Sequence, residues 1–117
     1  MKKNIRQGDV LLVEVDSIPN GEESSDGVLA LGEVTGHKHK LVGKFVRINC
    51  EDGKTYLKVE NAVLYHGTES QIERQQLGEV INTVKEDIHA PQTIVGKILE
   101  LIIQKDYEPE GWKKVSD

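Results

Sequence analysis

Apolar residues in this chain recur mainly at every second position, in runs cut by glycine and polar turns. That period belongs to extended strands, whose successive side chains point to opposite faces; a helix would ask for spacings of three and four. "GDVLLVEV" (8–15) reads as a first strand and "VLALGEV" (28–34) as a second. "HKHKLVGKFVRI" (37–48) reads as a third strand, bent at Gly43. Asp52-Gly53 is a hairpin turn signal, after which "NAVLYHG" carries the next strand to His66. "TIVGKILELIIQKDY" (93–107) alternates throughout and is apolar enough in its middle for burial on both sides. Pro19, Asn20-Gly21 and Asp26-Gly27 mark "DSIPNGEESSDG" as an exposed loop. In the tail, Pro109 and Gly111 turn the chain and Trp112 is expected to cap the core. About seven short strands predict an all-β fold, or a β-rich one with one short helix, as a small barrel or jelly-roll-like sandwich. Residues 1–117 are expected to form a single domain.

One segment departs from the two-residue period. "TESQIERQQLGEVINTVKEDI" places Leu77, Ile81, Val84 and Ile88 at helical spacing, and Thr68 with Gln71 matches a capping box. This favours a helix over 69–86, although Gly78 in its middle costs about 1 kcal/mol relative to alanine. The competing reading is a hairpin turning at Leu77-Gly78.

Composition narrows the function classes. Hydrophobic residues make up 37% and charged ones 30%, a globular balance rather than a disordered one. The net charge of −5 lacks the basic footprint of a nucleic-acid binder. No run reaches the roughly 20 apolar residues of a membrane span. The N-terminus lacks the pattern of a signal peptide, and Cys50 is the single cysteine. Together these predict a cytoplasmic protein without an internal disulfide.

The residues that carry chemistry are the histidines. His37 and His39 are two apart, so on a strand both rings project to one face with Cα atoms about 6.5–7 Å apart. Imidazole nitrogens so placed can meet on one cation at about 2.0–2.1 Å, given at least a third ligand. His66 and His89 are the other two histidines and both stand at edges of predicted elements. Glu33 is the nearest carboxylate and the candidate general base. A straight helix over 69–86 would be about 27 Å long, and residues 87–89 reach back at most about 10 Å. His66 and His89 can therefore share a site only if that segment is a hairpin or two short helices broken at Gly78.

The combination of "IRQGDVLL", "GEVTGHKHKL", "AVLYH", His89-Ala90-Pro91 and "IIQKDYEPEGWKKVSD" resembles a family of small, functionally uncharacterised bacterial and phage proteins. The likeness covers most of the chain. It implies that Glu33, Thr35, Gly36, His37, His39, Gln104 and Tyr107 belong to one pattern, with Thr35, Gln104 and Tyr107 behind the ligands. The second histidine pair of that pattern falls on His66 and His89, here separated by about twenty additional residues. The resemblance brings no activity with it.

Two function classes follow. In the first, His37, His39, His66 and His89 hold a divalent transition metal, with zinc favoured and iron, nickel or copper also suited to imidazole. An open coordination position would then make a metal-dependent hydrolase, acting through a bound water of lowered pKa. The layout is similar in outline to a cupin, but "KLVGKFVRIN" lacks the cupin glutamate. In the second, the protein is a non-enzymatic binding module. Its "GDVLLVEV…GVLALGEVTG" is similar to the small co-chaperonin barrel, with Ser17 to Gly27 as a mobile loop. A nucleotide-sequestering protein, whose histidines hold an anionic small molecule, belongs to the same class. A sheet of this kind also leaves edges that a second copy could cover as a homo-oligomer.

Overall fold

A computed structural model describes residues 3–31 and 36–104 of the 117. It contains β1 (Asn4–Gln7), β2 (Val10–Glu14), β3 (Glu22–Ser24), β4 (Val28–Leu31), β5 (Lys38–Asn49), β6 (Thr55–Gly67), α1 (Glu69–Gln76), α2 (Thr83–Glu86) and β7 (Gln92–Ile103). The strands form one antiparallel sheet in the order β1-β2-β7-β6-β5-β3, with β4 sharing the outer edge of β5. The β-rich expectation holds; of the small barrel or jelly-roll-like sandwich expected, the strands form a single sheet that does not close. The reason lies at its ends: β1, β3 and β4 are three or four residues long and pair with one strand each. Such short edges cannot carry a ladder across the gap, and they blunt edge-to-edge association.

The long hairpin β5–β6 is the spine. Its turn follows the sequence signal: Gly53 adopts φ 90° and donates to the Cys50 carbonyl, and Asp52 Oδ1 accepts from Lys54 N. Along β5, His39 and Leu41 are buried while their neighbours are half-exposed. Along β6 the alternating buried residues are Leu57 and Val59, then Ala62, Leu64 and His66, with Tyr56 and Gly67 buried as well. The step from 59 to 62 is three residues, so the alternation slips once.

Pairing shows where. Lys44 faces Asn61 but Phe45 faces Val59, leaving Glu60 as an extra residue on β6. Without that bulge a strict period of two from Leu57 would turn His66 to the outside. Strand β7 slips at the same level, with Ile94 and Leu99 both buried and Gly96 between them at φ 61°. Gly43 lies beside the bulge at φ 139°, where a Cβ would come within 2.5 Å of the Asn61 carbonyl oxygen. The expected bend of β5 at Gly43 is thus a close approach of two backbones.

The core unites Val10, Leu12, Leu29, Leu41, Leu57, Val59, Ala62, Leu64, Ile94 and Leu99. Each large aliphatic side chain buried this way contributes about 1.5–3 kcal/mol.

The single helix over 69–86 is not formed. Thr68 and Gln71 do make the capping box, each accepting from the other's backbone N–H, but α1 ends at Gln76. Gly78 follows at φ 97°, and α2 starts afresh with Asn82 accepting from Lys85 N. Burial explains the break: Ile72, Ile81 and Ile88 are buried while Leu77 and Val84 are almost fully exposed. One straight helix would hold Ile81 and Val84 on the same face; two short ones let the chain fold back on the sheet. The loop 17–27, expected to be free, holds β3, which pairs with Arg47–Asn49 of β5. Among the described residues no helix is long and apolar enough to cross a membrane.

Candidate functional site: a buried histidine cluster

His39 and His66 are direct partners across β5 and β6, one step beyond the pair Leu41 and Leu64. Both are therefore on the core face, at the end of its apolar stripe. Directly opposed residues on one face have Cβ atoms about 4.5–5.5 Å apart, and the two rings stack with centroids 4.5 Å apart. His37, two residues before His39, reaches the same end and meets His66 edge-on at 5.3 Å. The fold-back at Gly78 and a left-handed Asp87 (φ 56°) return His89, whose ring lies 4.9 Å from His66 and 6.3 Å from His39. All four histidines of the chain thus gather at one place, with His66 at the centre. His37, His39 and His66 are at least nine-tenths buried.

Hydrogen bonds fix two of the rings in opposite tautomers. Gln7, 2% exposed, donates through Nε2 to the carbonyls of Leu64 (2.9 Å) and Ala90 (3.0 Å). Its Oε1 is thereby turned to His39 Nδ1 at 2.8 Å, so that nitrogen carries the proton and His39 Nε2 keeps a lone pair. At His66 the order is reversed. The backbone N–H of His89 donates to His66 Nδ1 at 2.9 Å, so the neutral ring carries its proton on Nε2. His37 Nδ1 is buried and has no hydrogen-bond partner among the described residues.

Burial, and next the neighbouring His89, lowers the pKa of His39 to about 4. Burial, reinforced by His39, His89 and His37 and opposed by Asp87, lowers His66 likewise to about 4. Both rings are neutral at pH 7, the state in which imidazole ligates. Gly8, at φ 58°, closes the cluster on the β1–β2 side. A Cβ there would come within 2.9 Å of His89 Nε2 and 3.2 Å of His39 Cε1.

The cluster fits a transition metal in its chemistry: nitrogen donors, one tautomer set by a glutamine, and an orphaned ring nitrogen. As it stands, no three histidine, cysteine, aspartate or glutamate side chains among the described residues form a cage for an ion. Coordination would require the rings to rotate, above all His37.

Sequence reasoning placed His37, His39, His66 and His89, and all four converge. Glu33, Thr35 and Tyr107, with Trp112, lie outside the described residues. Gln104 does not stand behind a ligand: its side chain accepts from Arg6 Nη2 and its backbone N–H donates to the Asp9 carbonyl. The residues that sequence missed are Gln7 and Gly8. "RQGD" looks like an ordinary polar strand end, and only the fold reveals a buried glutamine with three hydrogen bonds. A separate groove of about 620 Å³, lined in part by Lys44, Phe45, Lys58, Glu60 and Lys97, contains no histidine.

Fold and site together define a class: an open antiparallel sheet with a cluster of three buried histidines and the exposed His89 at one end of its core. The chain belongs to the family described as Domain of unknown function (DUF8820), whose sequence model matches residues 6–76. That span holds Gln7, Gly8, His37, His39 and His66; His89 lies beyond it. No curated protein and no solved structure matches the chain.

Proposed function

We propose that this protein binds a divalent transition metal through its histidine cluster, with zinc the first choice and iron or nickel next. The observation that carries the reading is the buried, unpartnered Nδ1 of His37 beside two rings held neutral. A buried polar atom without a partner costs about 1–3 kcal/mol, and a lone pair left so in a native fold asks for a ligand. His39, whose Gln7 bond resembles the carbonyl-to-histidine bonds behind many metal ligands, would offer Nε2. His89 and His37 would complete the set. Nitrogen donors of this type favour zinc, iron, nickel and copper over magnesium or calcium. A metal held there would supply Lewis acidity to whatever else enters the pocket. Elemental analysis of purified protein should find about one equivalent of metal, retained on dialysis and lost in His39→Ala. Protein that takes up none of zinc, iron or nickel, and whose stability none of them changes, would sink the reading.

A further inference from the structure

We propose that the groove at the β6 bulge is a binding site for a small amphipathic carboxylate, an aryl or short acyl acid, held by its apolar body and by Lys58. The site is independent of the histidines and of any metal they hold. Two aligned irregularities mark its place. Val59 faces Lys97 and Asn61 faces Val95, so the extra residue Glu60 lies level with Gly96 on the adjoining strand. Bulges of this kind bend a strand and re-aim its side chains. At that level lies the groove of about 620 Å³, within the roughly 300–1,000 Å³ of small-molecule pockets. Phe45, Val46, Val59 and Ile98 give it an apolar lining. Gly96 adds no side chain, at a point where a Cβ would meet nothing within 4 Å.

Charge sets the polar end of the occupant. The chain carries a net charge of −5, yet the described residues lining the groove include three lysines against two glutamates. Lys44 pairs with Glu60 and Lys97 with Glu14, each at 3.7 Å. Lys58 is exposed, stands between Val46 and Ile98 across the three strands, and has no ion pair among the described residues. An excess of one cation suits a monoanion. A phosphate dianion would bring one charge too many, and no arginine among the described residues lines the groove to grip it by two bonds. A lysine stem lies along apolar surface while its ammonium reaches out, which is the match for a ligand with an apolar body and a carboxylate end.

Octanoate is the probe. Titrated into ¹⁵N-labelled protein, it should shift the backbone amides of Phe45, Lys58 and Gly96 saturably, while octylammonium at the same concentrations leaves them in place. Lys58→Gln should weaken octanoate binding about fivefold, the scale of one solvent-exposed ion pair. Lys58→Arg should retain the binding, as should Lys54→Gln, which removes an exposed lysine that does not line the groove. Unmoved amides, equal binding of octylammonium, or undiminished affinity in Lys58→Gln would overturn the proposal. Shifts at the same amides that follow protein concentration without octanoate would overturn it as well, by showing that a second copy fills the groove.

Discussion

At the scale of single residues, Gln7 is the side chain on which the cluster's order depends. It makes three contacts at once, to His39 Nδ1 and to the carbonyls of Leu64 and Ala90, and so ties β1, β5, β6 and the segment after α2. Gln7→Leu should lower zinc affinity about 10–100-fold, the usual consequence of removing the group behind a ligand. It should also cost roughly 1–3 kcal/mol for each buried group left unpaired. Gln7→Glu separates the two effects. A carboxylate still accepts from His39 Nδ1–H but donates nothing to the two carbonyls, so stability should fall while the metal-binding tautomer survives. Urea unfolding and a zinc competition titration on the same variants would check this; equal loss of both in Gln7→Glu would refute the assigned roles. Gly8→Ala is a second probe, because a methyl there meets His89 Nε2 at 2.9 Å and needs φ 58°. A left-handed conformation alone costs about 1–2 kcal/mol, and the displaced rings should lower metal affinity further.

At the scale of elements, the bulge at Glu60 decides which face His66 joins. Deleting Glu60 restores an unbroken alternation, so either Leu57 and Val59 or Ala62, Leu64 and His66 must turn outward. We expect a protein that is strongly destabilised and takes up no zinc, whereas Glu60→Ala, which keeps the extra residue, should retain both fold and metal. These two variants, compared by circular dichroism and metal content, separate backbone register from side-chain chemistry. The bulge also marks where sequence reading stops. His37 and His39 were legible because their spacing by itself sets them on one face. The turn at Asp52-Gly53 and the Thr68–Gln71 capping box were legible because both are local chemistry. A slip inside a strand is marked only weakly: in "VENAVLYH" the adjacent polar pair Glu60-Asn61 interrupts the alternation without saying that a residue is extra. The helical reading of 69–86 failed for a related reason: periodicity reports which positions repeat, and only burial of Ile72 in α1 and of Ile81 and Ile88 on either side of α2 shows that the segment is broken. Gly78 was the visible clue, and its φ of 97° is the break.

At the scale of the whole molecule, the cluster makes stability depend on pH with a definite sign. His39 and His66 titrate at about 4 in the fold and near 6.5 when unfolded. Above pH 6.5 both states hold these rings neutral, and they add no slope. Between 6.5 and about 4 the unfolded chain binds protons that the native one refuses, so stability falls as pH falls. The slope approaches about 1.4 kcal/mol per pH unit for each ring at most. Glu69 and Glu79 are lowered by their bonds to Lys38 and Arg74, and their contribution is lost only as pH falls further, below the ordinary carboxylate range. Protons compete with a bound metal for His39 only as pH nears its folded value of about 4. At pH 7, zinc at about 100 times its dissociation constant should raise stability by about 2.7 kcal/mol. That increment should persist to about pH 5 and fade as pH nears 4, where His39 takes up its proton. Denaturant titrations at half-unit intervals, with and without zinc, would trace both curves. A metal-free stability that stays level from pH 7 to 4.5 would mean that the rings are not buried neutral, and the cluster would lose the property that suits it to a cation.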